Sequence, residues 1–307
     1  MEALSIVFMG TPQFAVPSLE ILIDHGYPVV AVVTAPDKPQ GRGRKLVPSP
    51  VKECAQKHGI PVLQPTNLKS PQFISELQGY SANLIVVVAF RMLPEVVWSM
   101  PSKGTFNLHA SLLPKYRGAA PIHWAIINGE KETGVTTFFL KHEIDTGNII
   151  LQEPEPIYPN DSTGSLTARL MTKGADLVLK TVQTIEREDY HLMSQDLNVE
   201  LPKAPKLFKE NCKINWDQSA KVVVNFIRGL NPFPTAWTEV AGVTYKIYLA
   251  IAMDQIEMQT DEPGTYITDE SSYLHFKTSE GVVSVKELQA PGKRKMSIEE
   301  FLRGNKL

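Results

Sequence analysis

Leu84-Ile85-Val86-Val87-Val88-Ala89 is the segment that most restricts how this chain can fold. It is apolar without interruption and holds three consecutive valines, so neither of its faces suits water. Crossing a bilayer takes roughly 20 apolar residues, far more than this run supplies. A β-branched run of this kind reads as a strand buried on both sides, the habit of parallel sheets covered by helices. Leu4–Met9, stopped by Gly10, has the same character, and Val29–Thr34, Val62–Leu63, Thr105–His109 and Val135–Phe139 supply further strands. Helical stretches lie between them. One starts at Pro17 and ends near His25 with Gly26 as its cap, Val51–His58 is stopped by Gly59, and others run from Ala120 to Ile127 and from Thr163 to about Arg187. This alternation predicts an α/β fold with a Rossmann-like, mostly parallel sheet and right-handed crossovers. Such sheets bind ligands at the carboxyl ends of their strands.

Beyond Arg187 the texture changes. Ser194–Lys213 is polar and aperiodic, with Pro202 and Pro205 set among Lys203, Lys206, Lys209 and Lys213, and reads as a linker. Ala220–Arg228 is helical in pattern. Short alternating segments follow at Thr238–Val240, Thr244–Leu249, Gly264–Ile267, Leu274–Lys277 and Val282–Leu288, and predict a smaller OB-like β-barrel. The expected plan is a catalytic domain over 1–189, a linker over 190–208 and a β-barrel domain over 209–307, a division that a chain of 307 residues favours.

Bulk composition excludes several classes. Hydrophobic residues make up 43% and charged residues 21%, ordinary values for a soluble globular protein, so no membrane association is expected. A net charge of −2 means that any nucleic-acid surface must be local. Cys54 and Cys212 lack metal-type spacing, and with no basic leader at the start the expectation is a reduced, cytoplasmic protein without a metal. Gly10-Thr11-Pro12-Gln13-Phe14 stands where a dinucleotide-binding turn would be. It lacks the G-x-G-x-x-G spacing, and Pro12 removes an N–H that could cradle phosphate.

Chemistry concentrates at Asn107 and His109. Two residues apart on a strand, their side chains share one face and can approach one substrate group together. Downstream stands Asp145-Thr146-Gly147. An amide, an imidazole and a carboxylate are the equipment of acyl transfer: a donor for a developing oxyanion, a proton carrier, and a group that orients the carrier. Asp-Thr-Gly also marks aspartic proteases. Those need two coupled carboxylates, and no second Asp-Thr-Gly or Asp-Ser-Gly occurs here.

The wording Asn107-x-His109-x-Ser111-Leu112-Leu113-Pro114, then Arg117-Gly118-Ala119-Ala120-Pro121, then Ile144-Asp145-Thr146-Gly147, resembles the folate-dependent formyltransferases. The likeness extends from Gly10-Thr11-Pro12 through Asn231-Pro232-Phe233-Pro234-Thr235-Ala236-Trp237 to Gln289-Ala290-Pro291-Gly292-Lys293-Arg294-Lys295-Met296. It implies that Asn107, His109 and Asp145 are catalytic, and that Ser111, Leu112, Leu113 and Pro114, with Met92 and Leu93, lie against the folate. Where the family often has glycine, this chain has Arg91. The resemblance further implies that Arg42, in the glycine-rich basic loop with Arg44 and Lys45, contacts a tRNA acceptor end. Lys206, Lys209, Lys293, Arg294 and Lys295 are candidate phosphate contacts, although the chain from Lys206 onward holds thirteen basic and thirteen acidic residues.

The implied reaction moves a formyl group from 10-formyltetrahydrofolate to the α-amine of methionine on initiator tRNA, catalysed by a cytoplasmic monomer without a metal. An α-amine has a reference pKa of roughly 7.7–8.0, so much of it is already nucleophilic near neutrality. Stabilising the oxyanion is then the larger task, assigned to Asn107 with His109 assisting as donor and proton shuttle. Asp145 would orient His109 and help to remove the amine proton. Three other readings compete: transfer to a small amine such as glycinamide ribonucleotide or an amino sugar nucleotide, hydrolysis of the formyl-folate itself, and a silent RNA-binding protein that kept the fold. The second domain and the Arg42 loop disfavour the first, since a small substrate needs neither.

Overall fold

The computed structural model describes residues 3–40, 45–196, 199–254 and 262–305. Two compact units emerge. The first comprises Met1–Gly118, Gly134–Glu155 and Thr167–Pro202, and the second Ala119–Thr133, Pro156–Leu166 and Lys203–Leu307. Packing thus groups residues 190–202, expected to be linker, with the first unit. It groups the short helix Pro121–Ile127 with the second.

Among the described residues, seven strands form one sheet in the order Ile149–Pro156, Glu132–Phe139, Thr105–His109, Leu84–Val88, Ile6–Gly10, Val29–Val33, Val62–Leu63. Leu84–Val88 lies at its centre with every residue buried, as its uninterrupted apolar run requires. Its neighbours Ile6–Gly10 and Thr105–His109 both run parallel to it, with Val87 opposite Asn107. One face carries a core of Val7, Met9, Ile85 and Val87 under Phe73, Leu77 and Val97. Gly10 ends the first strand because nothing larger fits. A Cβ there would lie 3.0 Å from the Val88 carbonyl oxygen and 2.8 Å from the Ala15 Cβ.

Three features add to the reading of a mostly parallel sheet. Glu132–Phe139 runs antiparallel to Thr105–His109, pairing Phe106 with Phe139 and His109 with Thr136, so the sheet is mixed. Ile149–Pro156 is a strand that Pro154 and Pro156 disguise; it stands at the sheet edge, where proline is tolerated. The helix Pro71–Gly79 also escaped notice. Its signal is local: the Ser70 hydroxyl accepts from Phe73 N at 3.3 Å, Pro71 takes the first turn, and Phe73 and Leu77 bury one stripe.

Lys38–Gln40 pairs with Lys45–Val47 as an antiparallel ribbon. Lys52 Nζ anchors its base, donating to Asp37 Oδ2 at 2.7 Å and to Gln64 Oε1 at 2.8 Å, while Gln64 Nε2 donates to Asp37 Oδ1 and the Ala35 carbonyl. Hydrogen bonds from Lys52 and Gln64 hold the Asp37 carboxyl below the usual carboxylate range. That contribution to stability is complete above the unfolded carboxylate pKa and disappears as pH falls through the depressed folded one.

In the second unit, an antiparallel sheet orders Ala236–Val240, Val243–Met253, Val282–Gln289, Leu274–Lys277 and Tyr266–Thr268, with Met296–Ser297 also paired to Val282–Gln289. The expected barrel takes the form of a curled half-barrel. The helix Ala220–Gly229 packs Val223 and Ile227 onto Ile247, Val283 and Phe276, and Trp216 stacks on Phe276 at 4.2 Å.

Two substitutions test these points. Gly10→Ala should cost about 1–3 kcal/mol, the usual range for overpacking, read as a lower Tm in thermal unfolding. Lys52→Met should speed amide exchange at Lys38, Gln40 and 45–47 and leave the Leu84–Val88 amides protected; equal protection of the ribbon in both proteins would refute the anchor.

Candidate active site

Thr105–His109 presents Asn107 and His109 on one face, as its period of two demands. His109 is buried, and its Nε2 donates to the Tyr116 carbonyl at 2.8 Å. A carbonyl can only accept, so Nε2 carries the hydrogen and Nδ1 is the nitrogen that gains or loses a proton. That nitrogen faces Asp145 Oδ2 at 3.9 Å. The same carboxylate oxygen accepts the Gly118 backbone N–H at 3.0 Å. Asn107 is half-buried, and among the described residues its amide has no hydrogen-bond partner. An amide left unspent beside an imidazole whose mobile proton faces a carboxylate is suited to receive a developing oxyanion.

Asp145 does not reach His109 by following its strand. Glu132–Phe139 runs the opposite way, and the Leu140 N–H donates to the Thr105 carbonyl at 2.9 Å, at the start of the His109 strand. From there to His109 is ~13 Å at roughly 3.3 Å per residue. Residues 140–148 cover that return as a loop closed by Phe139 N donating to the Asn148 carbonyl at 3.0 Å. Asp145 adopts φ 56, a left-handed conformation in which an Asp is tolerated. Gly147 lies against the strand so closely that a Cβ would fall 1.6 Å from the Phe139 carbonyl oxygen.

Ser111–Pro114 is held by its own residues. Ser111 is fully buried and its hydroxyl donates to the Lys115 carbonyl at 2.7 Å. Leu113 is buried with Phe138 and Ile149. Thr136 Oγ1 donates to the Ser111 carbonyl at 2.6 Å and accepts from Leu113 N, and Gln152 Nε2 donates to the Leu113 carbonyl at 2.8 Å. Ser111 and Leu113 therefore anchor the loop, and Leu112 and Pro114 are its half-buried members. Thr136 and Gln152 are supports that the sequence reading missed, because their partners lie on other elements.

Met92 and Leu93 line a groove of about 620 Å³ with Thr66, Asn67, Lys69 and Arg91. Met92 is 75% exposed and supplies an apolar wall, while Lys69 and Arg91 supply positive charge. That combination fits a folate, which joins a flat heterocycle to a carboxylate-bearing tail. Arg91, where glycine was the family expectation, donates to the Pro65 and Thr66 carbonyls and lies over the Phe90 ring at 5.5 Å. It thus braces the groove wall. Among the described residues, no group of three or more His, Cys, Asp or Glu side chains could hold a metal ion, and no helix is long and apolar enough to cross a membrane.

The cationic residues are dispersed. Arg42 and Arg44 lie outside the described residues, and Lys45 is exposed on the ribbon. In the second unit, Lys206 Nζ sits 5.2 Å from the Phe208 ring centroid, and Lys209 is exposed. Arg294 pairs with Glu300, and Lys295 Nζ pairs with Glu287 at 2.7 Å, which leaves less free charge in the Lys293–Lys295 cluster than its sequence suggests. Arg228 is spent on Asn225 Oδ1 and on the Asp161 and Tyr158 carbonyls.

Because Gly147 has no room for a side chain, Gly147→Ala must displace the backbone that carries Asp145. Turnover should fall about a hundredfold, the scale for ~1 Å of misplacement, while the far-ultraviolet dichroism is kept. Unchanged turnover would show that the loop tolerates the shift.

Known proteins resemble this chain over nearly its whole length. A family model described as formyl transferase matches residues 4–182, and one described as formyl transferase, C-terminal domain, matches residues 206–306. A methionyl-tRNA formyltransferase of Bacteroides fragilis is 50% identical over 311 residues, which cover 99% of this chain and 95% of that one. Another, from Azobacteroides pseudotrichonymphae, is 51% identical over 310 residues, covering 98% and 95%. HypX from Aquifex aeolicus, solved in complex with tetrahydrofolic acid, shares the fold at a TM-score of 0.64 and 20% identity, over 96% of this chain and 46% of HypX, so this chain spans about half of that longer protein. An N-formyltransferase from Helicobacter canadensis, in complex with folinic acid and dTDP-3-aminofucose, gives a TM-score of 0.66 at 22% identity, over 95% and 100%. With both family models matched in order along nearly its whole length, the chain belongs to the formyl transferase family.

Proposed function

We propose that the protein transfers the formyl group of 10-formyltetrahydrofolate to the α-amine of methionine carried by initiator tRNA, acting as a monomer in the cytoplasm. The observation that carries this reading is the identity of 50% across 99% of the chain to a methionyl-tRNA formyltransferase, both units included. The folate supplies the formyl group. The rest is done by side chains. Asn107 donates its unspent amide to the formyl oxygen as charge develops there. His109, with Nε2 fixed on Tyr116, uses Nδ1 to carry a proton between the attacking amine and the departing nitrogen. Asp145, held by Gly118, orients His109, stabilises its imidazolium and so helps to remove the proton from the attacking amine. The groove at Lys69, Arg91, Met92 and Leu93 is the proposed folate seat. The ribbon bearing Lys45, with the Arg42 and Arg44 loop, and the exposed Lys206, Lys209 and Lys293 are proposed tRNA contacts, and Arg294 and Lys295 join them only by exchanging carboxylate partners for phosphate.

The test is formyl transfer from 10-formyltetrahydrofolate to initiator and elongator Met-tRNA, with glycinamide ribonucleotide as the small-amine control. Transfer to the initiator form alone is expected; transfer only to the small amine would overturn the substrate reading. Asn107→Ala, His109→Ala and Asp145→Ala should each fold and lose roughly a hundred- to a thousandfold in turnover, the cost of removing one such group. Full turnover in any of them removes that residue from the mechanism.

A further inference from the structure

Gln195 sits outside every motif, in a stretch whose composition reads as linker, yet it is hydrogen-bonded directly to the Asp145 loop. Its Nε2 donates to the Asp145 carbonyl at 2.9 Å and to the Gly147 carbonyl at 2.8 Å. Its Oε1 accepts from Arg117 Nε at 3.0 Å and Arg117 Nη2 at 2.7 Å. A primary amide has two N–H donors and two carbonyl lone pairs. All four are used, so the amide has one orientation. The segment is itself pinned, since Met193 and Ile149 exchange backbone hydrogen bonds at 2.8 and 3.0 Å.

These bonds close a ring about the carboxylate. Asp145 Oδ2 is held by Gly118 N, Gly118 follows Arg117, Arg117 grips Gln195, and Gln195 returns to the Asp145 backbone. The loop needs such a tie. Residues 140–148 leave the sheet beside Thr105, and among the described residues no ladder fixes Asp145 at the far end of the neighbouring strand. We propose that Gln195 is a positioning residue for formyl transfer, which sets the separation of the Asp145 carboxylate from His109 Nδ1 through its clamp on Arg117 and the Asp145–Gly147 backbone. This rests on the catalytic reading of Asp145 given above.

Two variants test it. Gln195→Met keeps the bulk and removes all four bonds. Gln195→Glu keeps the acceptors for Arg117 and sets a carboxylate oxygen against the Asp145 and Gly147 carbonyls, so it spares the Arg117 contact if the first variant does not fold. Turnover of each should fall about a hundredfold, the scale of ~1 Å of misplacement, with KM for folate and for Met-tRNA within about threefold of the unaltered protein. Because Gln195 acts only through Asp145, adding Gln195→Met to Asp145→Ala should cost nothing further. A structural role would not produce that non-additivity. Unaltered kcat in both single variants, or a loss that multiplies with that of Asp145→Ala, overturns the proposal. Failure of the unaltered protein to transfer formyl, or full activity of Asp145→Ala, overturns the catalytic reading instead, and the two failures are told apart by the single variants.

Discussion

The antiparallel pairing of Glu132–Phe139 with Thr105–His109 is the constraint on which the site depends. A parallel neighbour would deliver its following loop to the carboxyl end of the strand, beside His109, without further support. This neighbour delivers its loop to the opposite end, and the Leu140 hydrogen bond to Thr105 marks where it leaves the sheet. Asp145 is therefore brought back along the strand by a loop whose position comes from contacts other than a β-ladder. The close approach of Gly147 to the Phe139 carbonyl, the Gly118 amide on the carboxylate and the Gln195 clamp follow from that single reversal.

His109 shows how packing assigns chemistry. Imidazole offers two nitrogens of nearly equal proton affinity, and sequence cannot choose between them. A carbonyl 2.8 Å from Nε2 does choose, because it can only accept. The remaining nitrogen then faces the Asp145 carboxylate. The Asn107 amide is available for the opposite reason, since no described neighbour uses it. One side chain is specified by a bond it makes and the other by bonds it lacks.

The two units spend positive charge differently. Lys52 is locked between Asp37 and Gln64 at the base of the ribbon, so its charge supports a scaffold. In the second unit, Lys295 lies at once on Glu287 and over the Tyr248 ring, at 5.6 Å from its centroid, and Arg228 is consumed by backbone carbonyls. A basic cluster counted along the chain thus overstates the cation available to phosphate, because counting ignores carboxylates from neighbouring strands.

The amino-acid sequence determined by itself the strands Leu84–Val88, Thr105–His109 and Leu274–Lys277, the long helix Thr163–Arg187, and the placing of Asn107 and His109 on one face of their strand. Each of these rests on residues within a few positions of one another, where hydrophobic period and side-chain alternation act directly. It did not determine the direction of Glu132–Phe139, the edge strand Ile149–Pro156 hidden by its prolines, the loop-anchoring duties of Ser111 and Leu113, or the place of Gln195. Those were decided by contacts between distant residues: Gln195 meets Asp145 across 50 positions and Arg117 across 78. No local propensity encodes such pairs. They exist only once the sheet is assembled and brings these polar groups within reach of one another.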